Sequence, residues 1–327
     1  MIFLKDRAFA WTRMAQETDF SAVLESYGDD KSKFVTPYGS AGQDDVGAWL
    51  IWDGRLFLIS AVKPADDRSL TTITCREPMA VFDRDVYYTD AAYGSLNAGA
   101  FIVKVIEDEF IRQPDGFYAL PQLVVRNWLD LPAIPPDDEP DGKAFNLYDY
   151  LTGLRDAFGV FVEMSLAGNA ICADIRQRIP NRHNVVFGDG RATLTSREFG
   201  GANTVAKVTS IRNGTGTDWY LTRFGEIQTT PPTPRVEGRW AILPLSEDDD
   251  EGQKVREKFG RTSGAHKLAF RCGREFALGD EAVIRTDDEL VTGRISSVTK
   301  TRGDPWYTYK TGDLAVTLTD KMQRSKT

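Results

Sequence analysis

Three dipeptides constrain this chain more than any other feature: Asp53-Gly54, Gly168-Asn169 and Asn213-Gly214. Each separates two short runs rich in β-branched and aromatic residues, and such pairs tolerate the positive φ that tight hairpin turns demand. The first joins the two halves of "VGAWLIWDGRLFLISAV" (46–62), and "LTTITCRE" (70–77) follows after the polar loop "KPADDRS". These segments are read as a meander of three antiparallel strands. The second dipeptide joins "VFVEMSL" to "AICADIRQ", and the third joins "TVAKVTSIR" to "TDWYLTR" within 204–222. From about residue 266 the chain reads as β-rich to its end. There Leu278-Gly279-Asp280 turns into a strand through Ala282 and Ile284, with Val283 and Arg285 on its other face. Asp287-Asp288 turns it back, and Val291, Ile295 and Val298 continue the sheet.

Helical signals are fewer. In "FNLYDYLTGLRDAFG" Asn146 can cap the start and Gly159 the end, while Leu147, Tyr150, Leu151, Leu154 and Phe158 form one apolar stripe. "GAFIVKVIEDEFIR" (99–112) admits strand or helix, with helix preferred for its second half. "REPMAVFDRD" and "SEDDDEGQKVREKFG" read as short helices, the latter spanning about 247–259 with Ser246 as its cap. Four prolines and an acidic cluster in "LPAIPPDDEPDG" (131–142) predict a linker or long exposed loop, and "TTPPTPRVEG" (229–238) a second one. The fold class expected is α+β, mainly β, and 327 residues imply two or three domains.

Composition is that of a soluble globular protein: 41% hydrophobic and 27% charged. A net charge of −8 argues against general nucleic-acid affinity, which needs clustered Lys and Arg. No apolar run approaches the roughly 20 residues of a membrane helix, and "MIFLKDRAFAWTRM" fits no signal peptide, so folding in the cytoplasm with no membrane anchor is expected. Cys75, Cys172 and Cys272 lie about a hundred residues apart and read as buried or half-buried thiols in a reducing compartment.

Catalytic signals are absent at every place they could be sought. The two histidines, His183 and His266, have no Cys, His or acidic partner at ligand spacing. "SVTK" (297–300) matches SxxK but falls on a strand, where its lysine cannot align. "EDDDEG" (247–252) begins like a calcium loop, yet position twelve is Lys258. "FGDGRA" (187–192) and "RTSGAHK" (261–267) read as turns, and the "NGT" sequon at 213–215 is a hairpin turn. No catalytic, cofactor-binding or metal residue is therefore assigned, and no cofactor is expected. Abundant carboxylates leave a glycosidase open, because two at the right separation suffice. Seven Trp likewise leave a sugar-binding face open.

Taken in order, the segments carry more. Trp11-Thr12-Arg13 is followed by Asp19-Phe20 entering a strand, then by the 52–86 hairpin passage and a Cys75-to-Arg84 segment. Later come "NLYDYLTGLRDAFGVFVEM", "FGDGRATLTSREFGGANTVAKVTS" and finally "FALGDEAVIR". This series resembles the tail hub proteins of tailed bacteriophages over roughly 1–90 and 145–300, while 91–140 match nothing in that pattern. Family members commonly carry Gly where Cys75 and Thr18 stand here. The resemblance implies two tail-tube-like β-barrels, at 1–90 and 201–327, with an inserted α+β region at 91–200, in discontinuous domains. It implies a non-enzymatic homotrimer whose ring closes the tail tube, matching six tube subunits with two barrels per chain. The implied partners are the tail tube, distal tail and tape-measure proteins and the tip, spike or fibre proteins, at the tail tip or baseplate of the virion. DNA would pass the channel without specific binding, with which an acidic wall is compatible. Relatives often carry a C-terminal hydrolase or receptor-binding extension; here the chain stops at Thr327, so no lysin domain is expected. The alternatives are a cell-wall-degrading tail enzyme and a carbohydrate-binding adhesin.

Overall fold

The computed structural model describes residues 1–26, 31–112, 119–137, 140–187, 192–199, 205–222, 227–233, 238–247, 249–260, 266–285 and 290–312. They divide into two compact units. The first comprises Met1–Ile179 with Thr299–Asp304, and the second Pro180–Val298 with the strand that follows Pro305. The fold is α+β and mainly β, and among the described residues the hydrogen-bonded strands do not close into either of the two barrels expected.

In the first unit seven antiparallel strands pair in the order Asp19–Ser26, Ser32–Pro37, Leu70–Arg76, Arg55–Pro64, Trp49–Trp52, Ile2–Lys5, Trp11–Ala15. The Asp53-Gly54 turn has φ of 50° and 71°, as the hairpin reading requires. All four residues of Trp49–Trp52 are buried, because the strand is covered on both faces. Trp49 and Ile51 enter one core with Leu56, while Leu50 and Trp52 enter another with Ile2, Leu4, Phe34, Phe57, Ile59 and Ile73. A register shift between Ile59 and Ala61 marks a bulge in the longest of these strands.

The first of those cores is completed by a helical layer. Asn146 caps helix Leu147–Phe158, its Oδ1 accepting from the Asp149 backbone at 3.1 Å, and Gly159 ends the helix at φ 66°. The segment Ala98–Ile111 differs from expectation, since it is helical throughout and ends in a π-turn at Glu107–Ile111. Asn97 caps it, and Phe101, Ile102, Val105, Ile106 and Phe110 bury one side. The β-branched residues of this stretch pack well enough in a helix once that side is covered. A hairpin of Val160–Ala167 and Ala170–Gln177 takes Leu123–Asn127 as a parallel third strand, and Asp85–Tyr88 pairs with Lys143–Asn146.

The proline-rich segment is also different from expectation. It runs as a strap over the helical layer: Leu131 and Ile134 pack on the core, Pro136 is buried, and the Ile134 carbonyl accepts from the Tyr150 hydroxyl at 2.7 Å. Prolines have no N–H to satisfy, so a proline-rich segment can cross an apolar surface with few polar groups left wanting.

In the second unit, strands pair in the order Ala192–Phe199, His266–Cys272, Tyr307–Gly312, Leu290–Thr301, Glu281–Arg285, Arg182–Val186. Ala282, Val283 and Ile284 are all buried, so this strand is covered on both faces rather than one, while Arg285 is exposed. The turn expected at Asp287-Asp288 lies outside the described residues. A separate four-stranded sheet orders Ile227–Gln228, Thr215–Leu221, Val205–Arg212 and Arg239–Pro244, with Asn213-Gly214 at φ 50° and 78° in its hairpin. Helix Glu251–Gly260 covers one face through Val255 and Phe259. It starts later than expected, because Asp250 Oδ1 accepts from the Gln253 backbone at 3.0 Å and supplants Ser246, whose hydroxyl donates to Asp249.

At Gly159 a Cβ would lie 3.1 Å from the Arg178 carbonyl at positive φ, so Gly159→Ala is expected to lower stability by about 1 kcal/mol or more. Asn146→Ala should cost about 1 kcal/mol by loss of the cap. Urea denaturation of both variants measures the two effects.

Candidate functional site

Several of the positions at which chemistry was sought are engaged in packing or in internal hydrogen bonds. Cys75, Cys172 and Cys272 are free and buried, and burial pushes the Cys75 thiol well up. Ser297 is buried in a strand, where residues three apart face opposite ways, so Lys300 does not serve it. Among the described residues no three His, Cys, Asp or Glu side chains gather to hold a metal. The acidic run before helix Glu251–Gly260 is spent locally: Asp249 takes the Ser246 donors, Asp250 caps, and Glu251 accepts from Ser210 and from the Trp219 indole. No helix among these residues is long and apolar enough to cross a membrane.

His183 does have an acidic partner, 97 residues away. Its Nε2 lies 2.7 Å from Asp280 Oδ2, and its ring stacks on Phe276 at 4.6 Å. The same buried carboxylate accepts from the backbone of Asn181 at 2.9 Å and of Ala277 at 3.0 Å. Asp280 therefore ties the entry to strand Arg182–Val186 to the turn before strand Glu281–Arg285. These three contacts make a structural node, two of them holding backbone N–H groups and the third the His183 ring. No local spacing encodes it. The side chain of His266 lies outside the described residues, as do 188–191 and 261–265.

Ion pairs in the first unit are likewise internal. Arg126 clasps Asp174 with two bonds of 2.6 and 2.8 Å, Arg176 reaches the same carboxylate at 3.0 Å, and Arg13 reaches Asp45 at 2.6 Å. Arg178 bonds Glu163 at 2.6 Å and Glu25 at 2.7 Å, with its guanidinium 4.1 Å from the Phe161 ring centroid. Burial opposes the Arg178 charge, and the two carboxylates more than offset it, so its proton is held more tightly than usual.

What remains available is surface. In the four-stranded sheet Trp240 is 73% and Ile242 65% exposed on the face away from helix Glu251–Gly260. Lys207 extends over the Trp240 and Tyr220 rings at 5.2 and 5.6 Å and pairs with Asp218 at 2.7 Å. Strand Arg239–Pro244 is the edge of that sheet, pairing only with Val205–Arg212 among the described residues. This face is aromatic and apolar beside an open strand edge, features common at protein contacts.

The fold has counterparts among solved structures. The 43 kDa tail protein of prophage MuSo2 from Shewanella oneidensis matches with a TM-score of 0.56 at 13% identity, over 98% of each chain. The tail protein from Neisseria meningitidis MC58 matches at 0.51 and 12%, again over 98% of each. The chain is similar in fold to these tail proteins. A prophage tail protein from Listeria monocytogenes, gp18, matches at 0.47 and 12%. No protein-family model and no curated protein matches the sequence.

Removing Arg178 takes a shared guanidinium from two half-buried carboxylates, of which Glu163 keeps Arg176 at 3.2 Å, so Arg178→Ala should destabilise the protein by about 1 kcal/mol in chemical denaturation. The Arg126 hydrogen bonds hold the Asp174 carboxyl below its ordinary 3.8. Its ionised form thus stabilises the fold above that value, and the contribution is lost as pH falls through the lower folded value. Stability should decline from about pH 5 toward about pH 2, and Asp174→Asn should decline less over that window.

Proposed function

We propose that this chain is a structural subunit of a bacteriophage tail: a hub whose trimeric ring closes the tail tube and joins it to the tip or spike. The observation that carries the reading is the likeness of fold to two tail proteins over 98% of this chain and of each counterpart. A match that spans both units and leaves almost nothing over on either side favours a shared architectural role over a shared module. The ordered series of sequence segments points the same way independently of the coordinates.

In this reading the two units supply two tube-like elements per chain, so three chains present six to the tube. Tail tube, distal tail and tape-measure proteins would contact the ring on one side, and tip, spike or fibre proteins on the other. DNA would pass through an acidic channel without specific contacts. No catalysis belongs to this reading, in which carboxylates such as Asp174, Asp250 and Asp280 serve as clasp, cap and turn anchor. Its place is the virion.

The reading is tested by mass and shape. Light scattering at increasing concentration should reach three times the 36.5 kDa chain mass, and negative-stain images should show rings. A monomer at every concentration, with no rings, would contradict the trimer. Clearing of peptidoglycan in a zymogram would instead support the enzyme reading. Binding to a glycan array that Trp240→Ala abolishes would support the adhesin.

A further inference from the structure

The open edge of the four-stranded sheet presents its main-chain bonding groups in a fixed order. The Leu245 N–H donates to the Ile211 carbonyl at 2.9 Å, and Ile211 stands opposite Pro244 in a parallel register. Alternate residues bond inward in such a pair, so Ala241, Leu243 and Leu245 direct their backbone groups at strand Val205–Arg212. Trp240, Ile242 and Pro244 turn theirs to the other side, where no strand pairs with them among the described residues. Pro244 offers a carbonyl there and no N–H. The side chains of the same three residues are exposed, while Ala241 and Leu243 pack on the core beneath helix Glu251–Gly260.

Sheet edges are ordinarily blunted by a charge, a proline or a bulge within the strand. Here the charge and the proline stand at its ends, Arg239 and Pro244, and the middle is apolar. The strand is also complementary to itself. Two copies turned antiparallel about Ile242 set Ile242 against Ile242 and each Trp240 against the other's Pro244, so every exposed apolar side chain meets an apolar one. Centring on Ala241 would set Pro244 against Gly238, and centring on Leu243 would set Trp240 against Ser246. About Ile242 each Ile242 N–H reaches the other Ile242 carbonyl, and each Trp240 N–H the other Pro244 carbonyl. The ends match in charge as well. Arg239 is exposed and has no ion pair among the described residues, and Glu247, exposed just past the other end, accepts only from the Asn213 amide at 3.5 Å. Antiparallel pairing brings each Arg239 toward the other copy's Glu247, diagonally across the strand pair.

We propose that this edge joins two copies of the chain, strand Arg239–Pro244 pairing antiparallel with its own counterpart about a two-fold axis at Ile242. The contact is isologous and runs the two four-stranded sheets into one. It is distinct from the contacts of the proposed ring. A two-fold at this edge gives pairs of chains, or pairs of rings, and neither contact requires the other.

Cysteine crosslinking of the full chain tests the register. Ile242→Cys sets two thiols opposite each other across the two-fold, so mild oxidation should give a species of twice the 36.5 kDa chain mass on a non-reducing gel. Trp240→Cys should not crosslink, because its counterpart lies four residues, or about 13 Å, along the partner strand. The native cysteines are buried, and the unaltered chain supplies the background. A strand of six residues makes a small contact, so light scattering is followed up to about 100 µM. Particles of two or of six chains are expected. Ile242→Lys should weaken their formation at least about tenfold, and Arg239→Glu about threefold, with Glu247→Arg restoring it in the double variant. Circular dichroism establishes that each variant is folded. No crosslink in a folded Ile242→Cys chain would overturn the proposal, as would equal crosslinking of Trp240→Cys. Unchanged association of a folded Ile242→Lys chain would overturn it too. Particles of three chains at every concentration would overturn this contact and leave the ring standing, whereas particles of two alone would support it and contradict the ring.

Discussion

Phe101 is the contact on which the first unit turns. Its ring meets Tyr88, Tyr93, Phe145 and Tyr150 at centroid distances of 5.4 to 5.8 Å, and these residues come from separate helices and strands. Aromatic pairs at such separations gain energy from edge-to-face and offset geometry beyond the area they bury. The cluster holds the helix Ala98–Ile106 and the helix Leu147–Phe158 against the paired strands Asp85–Tyr88 and Lys143–Asn146. It also gives the proline-rich strap a surface to lie on.

The second unit relies on a polar constraint instead. Asp280 is a buried carboxylate with all its bonds directed inward, to two backbone N–H groups and His183. Phe276, Phe270 and Tyr309 pack around this region at 5.0 to 6.3 Å, and the Tyr309 hydroxyl donates to the Arg274 carbonyl. A carboxylate so placed is costly to bury and is tolerated only when fully bonded, so its partners must be held in register.

Local chemistry was legible in the sequence wherever one residue type decides the backbone. Asp53-Gly54 and Asn213-Gly214 adopt the positive φ their identities permit, and Asn146 and Gly159 bound their helix as read. Features decided by distant partners were not legible. The pairing of His183 with Asp280 spans 97 residues, and the Arg178 clasp on Glu25 spans 153. The strap was read as solvated because its prolines and acids are visible locally, whereas the aromatic surface that covers Ile134 and Pro136 is assembled from elsewhere. The start of helix Glu251–Gly260 was read at Ser246, whose hydroxyl instead donates to Asp249, while Asp250 caps and Val255 and Phe259 pack.

An architecture shared at 12–13% identity is one maintained by pattern rather than by particular side chains. Ion pairs and helix caps are made within each unit, while Trp240, Ile242 and a strand edge of the four-stranded sheet remain exposed. That distribution suits a building block. Immunogold labelling of intact particles with an antibody against this chain tests the account most directly. Gold confined to the end of the tail is the result predicted, and particles that lack the protein, or label on the head, would contradict it.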